Sequence, residues 1–378
     1  MPIGTFKNLC YGLALPVLGK HCQWKAQTPV EKALHRHHAV GACVQRFEKG
    51  KLTDCHCVGY ATLEGEKRPV QADTFFRSAS ITKMVVALLV FRLQTLGKLH
   101  VQQDISDLAG ERIRNPHCPD APITLGMLLS HTSTLMDSPA YFHSYQEPVA
   151  LKNLLSDEQA WLPAVPGISF RYSNLAAGMT ACLLEKQFGE SIETLMQREL
   201  LEPLHIRATF DLSALPEGLA ADSYRVLPEG RAFDAEKRRL EGKELSEPDP
   251  QHHYLLAAGG LYLSAPELAK LALTAWNGHN GFLDDASLAQ LRHPIAGWPE
   301  KQVPMTHGMG LLRLADKRIC AQPVWGHQGF AYGAVNGVFF DENGNGFAQL
   351  NSGASEQRLG HLALINRDLL RLLMKEES

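Results

Sequence analysis

Strand patterns at both ends of this chain enclose a long helical middle, and that arrangement limits the folds open to it. Val40 to Phe47 and Leu52 to Ala61 read as two strands joined by the turn Glu48-Lys-Gly-Lys51, a hairpin signal. Strand character returns only at Gly308 to Leu314, Val324 to Gly326, Ala331 to Phe340 and Phe347 to Asn351, with a turn at Asp341 to Gly346. From about Thr95 to Thr274 the pattern is mainly helical, with apolar runs at Leu125 to Leu129, Leu175 to Gln187 and Ala265 to Trp276. Pro29 to His38 reads as a short helix. A last, amphipathic helix carries Leu359, Leu362, Ile365, Leu369 and Leu372 at spacings of three and four. The expectation is an α/β protein of the α+β type: an antiparallel sheet flanked by helices, with an inserted mainly helical domain. Its parts are an N-terminal arm (1–27), a sandwich domain (28–94 with 275–378) and the insert (95–274). Glu217 to Pro250 is polar and reads as an exposed excursion.

Charge and hydropathy narrow the function classes. A net charge of -3 and the lack of a Lys/Arg stripe argue against a nucleic-acid partner. No apolar run is long enough to span a membrane. Leu9 to Gly19 has some signal-peptide character but no good cleavage site follows, so it reads as part of a mature arm. Eight scattered cysteines suit reduced, buried thiols and a cytoplasmic setting. Cys55-His-Cys57 lacks the second cysteine pair of a structural zinc site, so no metal or other cofactor is expected.

Ser80-Ile-Thr-Lys83 opens the apolar helical run Met84 to Leu93. Residues three apart share a helix face, so a hydroxyl meets an amine. A neutral amine can take the serine proton and make it a nucleophile. The helix N-terminus adds a positive field for an anionic intermediate. The competing reading is an N-cap serine followed by a solvated lysine.

Two further stretches fit the same chemistry. Tyr172 and Asn174 lie two apart in Pro166 to Asn174, so an extended backbone points both one way. A phenol beside an ammonium can be held as phenolate and act as base, while the amide orients the lysine. Packing under Pro166 and helix capping account for the same two residues. In Trp325-Gly-His-Gln-Gly-Phe330, His327 can donate to substrate or to Tyr172, and an edge strand there offers free N–H groups for an oxyanion. An ordinary strand-end histidine is the alternative.

In that order, S-x-x-K at Ser80, Y-x-N at Tyr172 and H-x-G at His327 resemble the three motifs of the β-lactamase-related serine hydrolases. Leu128-Leu-Ser-His-Thr-Ser133, Pro166 to Asn174, Ala258-Gly-Gly-Leu261 and Leu350-Asn351 resemble their supporting segments, so the likeness spans about Val40 to Met374. It implies a β-lactamase/transpeptidase-like fold with the site at the seam of the two domains. It implies Ser80 as nucleophile, Lys83 and Tyr172 as proton carriers, and Asn174 holding Lys83 and substrate. His327 and Gly329 would line the substrate, and the N–H groups of Ser80 and Phe330 would hold the oxyanion. Implied substrates are small esters, amides or peptides, with no metal and no organic cofactor. Two departures stand out. Thr134 replaces the usual glycine after the H-T-S turn, and His327 replaces the lysine of K-T-G. The second leans away from β-lactam turnover toward esterase and peptidase branches. Rival readings are a β-lactamase or D-amino-acid peptidase, a silent binding module on the same fold, an α/β-hydrolase elbow at Gly167 to Arg171, and a His/Cys metallohydrolase. Oligomeric state is not readable.

Overall fold

The computed structural model describes residues 24–63, 65–226, 245–298 and 302–374. Most of the expected arm 1–27, the centre of the Glu217–Pro250 excursion, and both Cys10 and Cys22 lie outside them.

A nine-stranded antiparallel sheet organises the chain. Its strands are β1 (Gly41–Glu48), β2 (Lys51–Thr62), β3 (Arg68–Pro69) and, late in the chain, β7 (Ala296–Trp298), β8 (Met305–His307), β9 (Leu312–Leu314), β10 (Val324–Ala331), β11 (Ala334–Asp341) and β12 (Gly346–Asn351). Their order is β3-β2-β1-β12-β11-β10-β9-β8-β7, so the early hairpin joins the late meander by pairing β1 with β12, Ala42 opposite Asn351. A small second sheet orders β4 (Phe76–Arg77), β6 (Tyr262–Leu263) and β5 (Ala208–Thr209) as β4-β6-β5.

Alternation decides which face each helix covers. Ala42, Val44, Phe339 and Phe347 share one apolar cluster with residues of helices α1 (Pro29–Arg36) and α6 (Leu364–Leu373). Cys43, Phe47, Val338 and Phe340 face the other way, toward α2 (Thr82–Thr95) and α5 (Ala265–Asn277). Local chemistry sets the helix ends. Thr28 and Glu31 form a capping box on α1, with Pro29 in its first turn. Ser264 caps α5, and Gly278 ends it in the left-handed region. Helix α2 is buried almost all round, as its unbroken apolar sequence requires. Beside it lies the buried α3 (Asn174–Phe188), and α4 (Tyr254–Gly259) packs on α3.

Several boundaries differ from the sequence reading. Gly308 to Leu314 is not one strand: it holds a turn after β8 and then β9, which starts only at Leu312. Val324 to Gly326 continues without a break to Ala331. The glycines there serve close approach: a side chain on Gly329 would sit 2.3 Å from the Ser78 carbonyl oxygen. The last helix starts at Leu364, after a short hairpin, and Leu372 faces solvent. Thr134 adopts a left-handed φ of 72°, which explains why a glycine suits that position; Asn115 Nδ2 donates to its hydroxyl at 2.8 Å. The Gly167–Arg171 run lies in a loop beside an antiparallel sheet, so the hydrolase-elbow reading fails.

Candidate active site

Ser80 lies in a 3-10 turn (Ala79–Ile81) that feeds α2. Ala79 holds a φ of 52°, a costly conformation for alanine, and Gly259 and Gly329 close around it. One strained turn, pinned from two sides, thus sets the direction of the serine. Strand β10 is central to the sheet rather than an edge. Its pairing with β9 stops at Gly326, however, so His327 to Ala331 face the Ser80 turn on that side. The expected open strand is there, made by a neighbour ending early.

Lys83 is fully buried, and its amine lies 3.2 Å from Ser80 Oγ. The same nitrogen donates to Asn174 Oδ1 at 2.9 Å and to the Ala258 carbonyl at 2.5 Å. Burial pulls the lysine down to about 7; the Asp137 charge works against the shift and Arg77 with it. A neutral amine has two hydrogens and one lone pair. With both hydrogens committed to Asn174 and Ala258, the lone pair is left for the proton of Ser80.

Burial pushes the Tyr172 phenol up, opposed by the Ser80 hydroxyl, a direction that favours the neutral phenol over the phenolate of the sequence reading. Its ring lies against His131 at a tilt of 33°, centroids 4.3 Å apart. His131 is buried, held neutral chiefly by that burial, and its Nδ1 accepts from the Ser173 amide at 3.3 Å. His327 also departs from expectation. Its Nδ1 donates to the Gln328 carbonyl at 2.7 Å, and burial holds it neutral, down at about 3. Nε2 therefore presents a lone pair, and His327 can accept a hydrogen bond there where donation was expected.

Asp137 is the residue that sequence spacing did not reveal. It accepts from Asn174 Nδ2 at 2.7 Å, from the Leu175 amide at 2.9 Å and from the Ser173 hydroxyl at 3.1 Å. These bonds fix the Asn174 amide so that its oxygen faces Lys83. Nothing in a lone aspartate 37 residues before Asn174 signals this. The Ala258 carbonyl lies in the Ala258-Gly-Gly-Leu261 segment, whose likeness to the family gave no role to that oxygen.

Two hollows open on Ser80, Asn174 and Phe330. One is walled by Tyr172, Trp298, His307, His327 and His361. Trp298 stacks on His361, centroids 4.0 Å apart. The other is charged, lined by Arg77, Arg225, Arg358, Glu356 and Tyr332. Arg358 lies over the Phe330 ring at 3.9 Å, on the wall between them.

The sequence matches the Beta-lactamase family over residues 27–369. The chain belongs to that family. It is 28% identical over 295 residues to Esterase EstB of Burkholderia gladioli, a match covering 71% of this chain and 73% of that protein. Among solved structures it is similar to EstCE1, a hydrolase with promiscuous acyltransferase activity, at a TM-score of 0.73 and 24% identity, covering 91% of this chain and 97% of the other. It is also similar to the D-amino acid amidase of Ochrobactrum anthropi SV3, at 0.69 and 20%, covering 91% and 96%. The fold is thus β-lactamase/transpeptidase-like, and this member of the family is a serine hydrolase. Among the described residues no helix is long and apolar enough to cross a membrane.

Proposed function

We propose that this chain hydrolyses small esters through an acyl-enzyme on Ser80. The observation that carries the reading is the buried Lys83, pulled down to about 7, whose amine lies 3.2 Å from Ser80 Oγ while Asn174 and Ala258 accept from it. Ser80 Oγ attacks the carbonyl carbon, and its proton passes to Lys83. The amides of Ser80 and Phe330 hold the oxyanion. As the intermediate collapses, the leaving oxygen regains that proton through the neutral hydroxyl of Tyr172. Water then attacks the acyl carbon and gives a proton to Lys83 by the same hydroxyl; the bond from that carbon to Ser80 Oγ breaks, the acid leaves, and Lys83 returns the proton to Oγ. In this reading residues 28–94 with 275–378 form the sandwich domain, 95–274 the insert, and Ser80 lies at their seam.

The ester preference rests on His327. A neutral ring offering a lone pair does not grip the carboxylate that a lysine would hold in a β-lactam. The similarity to an esterase supports the same choice. A second reading, hydrolysis of D-amino-acid amides or peptides, is favoured by Glu356 and Arg358 in the charged hollow, which suit a zwitterionic end. Rates on p-nitrophenyl butyrate, D-Ala-p-nitroanilide and nitrocefin separate the three. Ser80→Ala is expected to abolish turnover and labelling by a fluorophosphonate; labelling at the wild-type rate would sink the assignment. We place the chain in the cytoplasm, on six free thiols among the described residues. Fractionation of cells expressing the full gene tests that.

A further inference from the structure

The early hairpin brings together three thiols that the sequence keeps apart. Cys43 on β1 lies directly opposite Cys57 on β2, and Cys55 is the diagonal neighbour on the same face. Their sulfurs are separated by 3.2 Å (Cys43 to Cys57), 3.5 Å (Cys43 to Cys55) and 3.9 Å (Cys55 to Cys57). Cys43 is fully buried, Cys57 half-buried and Cys55 exposed, so the cluster has a floor and a mouth. The reason for rejecting metal from sequence was the missing second pair. Cross-strand pairing supplies a third ligand from a residue 12 positions upstream of Cys55.

We propose that Cys43, Cys55 and Cys57 bind one thiophilic d10 cation, such as copper(I) or zinc(II), as a three-thiolate site. Metal–sulfur bonds of about 2.3 Å place thiolate ligands roughly 3.8 Å apart. The existing separations reach that with shifts of a few tenths of an ångström, so the ligands are assembled before the cation arrives. Soft sulfur ligands select such cations over the hard ones that carboxylates and carbonyls favour. The open side at Cys55 is the entry path and leaves room for a water as fourth ligand. As each sulfur gives an electron pair to the cation, any proton it still carries leaves to solvent. None of the three thiols lines the hollows at Ser80, so the site is separate from the hydrolytic one.

The test is titration of the reduced, metal-free full chain with cadmium(II), read by the ultraviolet thiolate-to-cadmium charge-transfer absorption. The expected result is a sharp end point at one equivalent, with Cys55 then protected from alkylation. Cys55→Ser and Cys57→Ser should each weaken binding at least 100-fold, while Cys118→Ser leaves the titration unchanged. Cys55 is exposed, so its serine variant keeps the fold, and its ester turnover should equal wild type. Absence of a one-equivalent end point in the wild-type protein overturns the proposal. So does an end point that survives in Cys55→Ser, or cadmium-independent alkylation of Cys55.

Discussion

Lys83 Nζ lies 2.9 Å from Asn174 Oδ1, the amide oxygen that Asp137 turns toward it by holding Asn174 Nδ2 at 2.7 Å. Asn174 carries no charge, so it holds the amine without raising its basicity as a carboxylate would. The charge that does act on Lys83, Asp137, lies behind the amide. This layering leaves the lysine near neutrality, with one face open to Ser80.

The pH dependence follows from the same shift. Lys83 is lowered to about 7, so below that value it is protonated and cannot accept the serine proton. The value of kcat/KM for p-nitrophenyl butyrate should rise with pH through about 7, and fall roughly tenfold for each unit below it. Lys83→Arg keeps the charge but cannot deprotonate. It should lose about 10²–10⁴ in kcat/KM and show no rise at 7. A wild-type profile flat from pH 5 to 9 would contradict a lysine base.

Asp137→Asn separates charge from shape. The charge of Asp137 raises Lys83, so removing it lets the lysine fall further, and the rising limb should move below 7. The asparagine keeps an oxygen that can accept from the Leu175 amide, so α3 retains its start. A merely structural aspartate would lower activity without moving the limb. The profile of kcat/KM against pH is the measurement.

Much of the catalytic cluster was legible because its parts lie in short, periodic strings. Ser80 and Lys83 share one helical turn, and Tyr172 and Asn174 lie two apart, although Asn174 opens α3 rather than continuing the extended backbone expected there. The sheet ends were legible from alternation at β1, β2, β11 and β12. What escaped depends on partners remote in sequence. Asp137 acts through residues on α3, and Cys43 meets Cys57 only once β1 and β2 are paired. The protonation states of Tyr172 and His327 escaped because burial sets them, and burial is a property of the packed molecule. The sequence reading ended the strand at Gly326 and resumed at Ala331, since sequence cannot tell a break from a backbone neighbour pressed against a strand.

Gly329→Ala tests that neighbour. Its methyl would lie 2.3 Å from the Ser78 carbonyl oxygen and 3.1 Å from the Ala79 side chain, so the turn carrying Ser80 must move. Overpacking of this kind costs about 1–3 kcal/mol, which a large domain survives. A shift of about 1 Å at a nucleophile costs on the order of 10²-fold in rate. The expected variant is folded by circular dichroism, with kcat down about 100-fold and fluorophosphonate labelling slowed alongside.

Glu185 supports the site from below. Its side chain is wholly buried in α3 and accepts from the Ile192 amide at 2.8 Å, the Asp249 amide at 2.9 Å and His253 Nδ1 at 2.6 Å. His253 is the residue at which α4 begins, and α4 presents the Ala258 carbonyl that accepts from Lys83. Glu185→Ala would strand three donors, two of them buried, and open a cavity, at a cost of about 3–5 kcal/mol. Glu185→Gln keeps the volume and one acceptor oxygen, so its loss should be smaller. Urea unfolding of both variants reads the difference. Equal stability of Glu185→Ala and wild type would show that α3 and α4 are held together by apolar contact alone, and that the Ala258 carbonyl needs no such anchor.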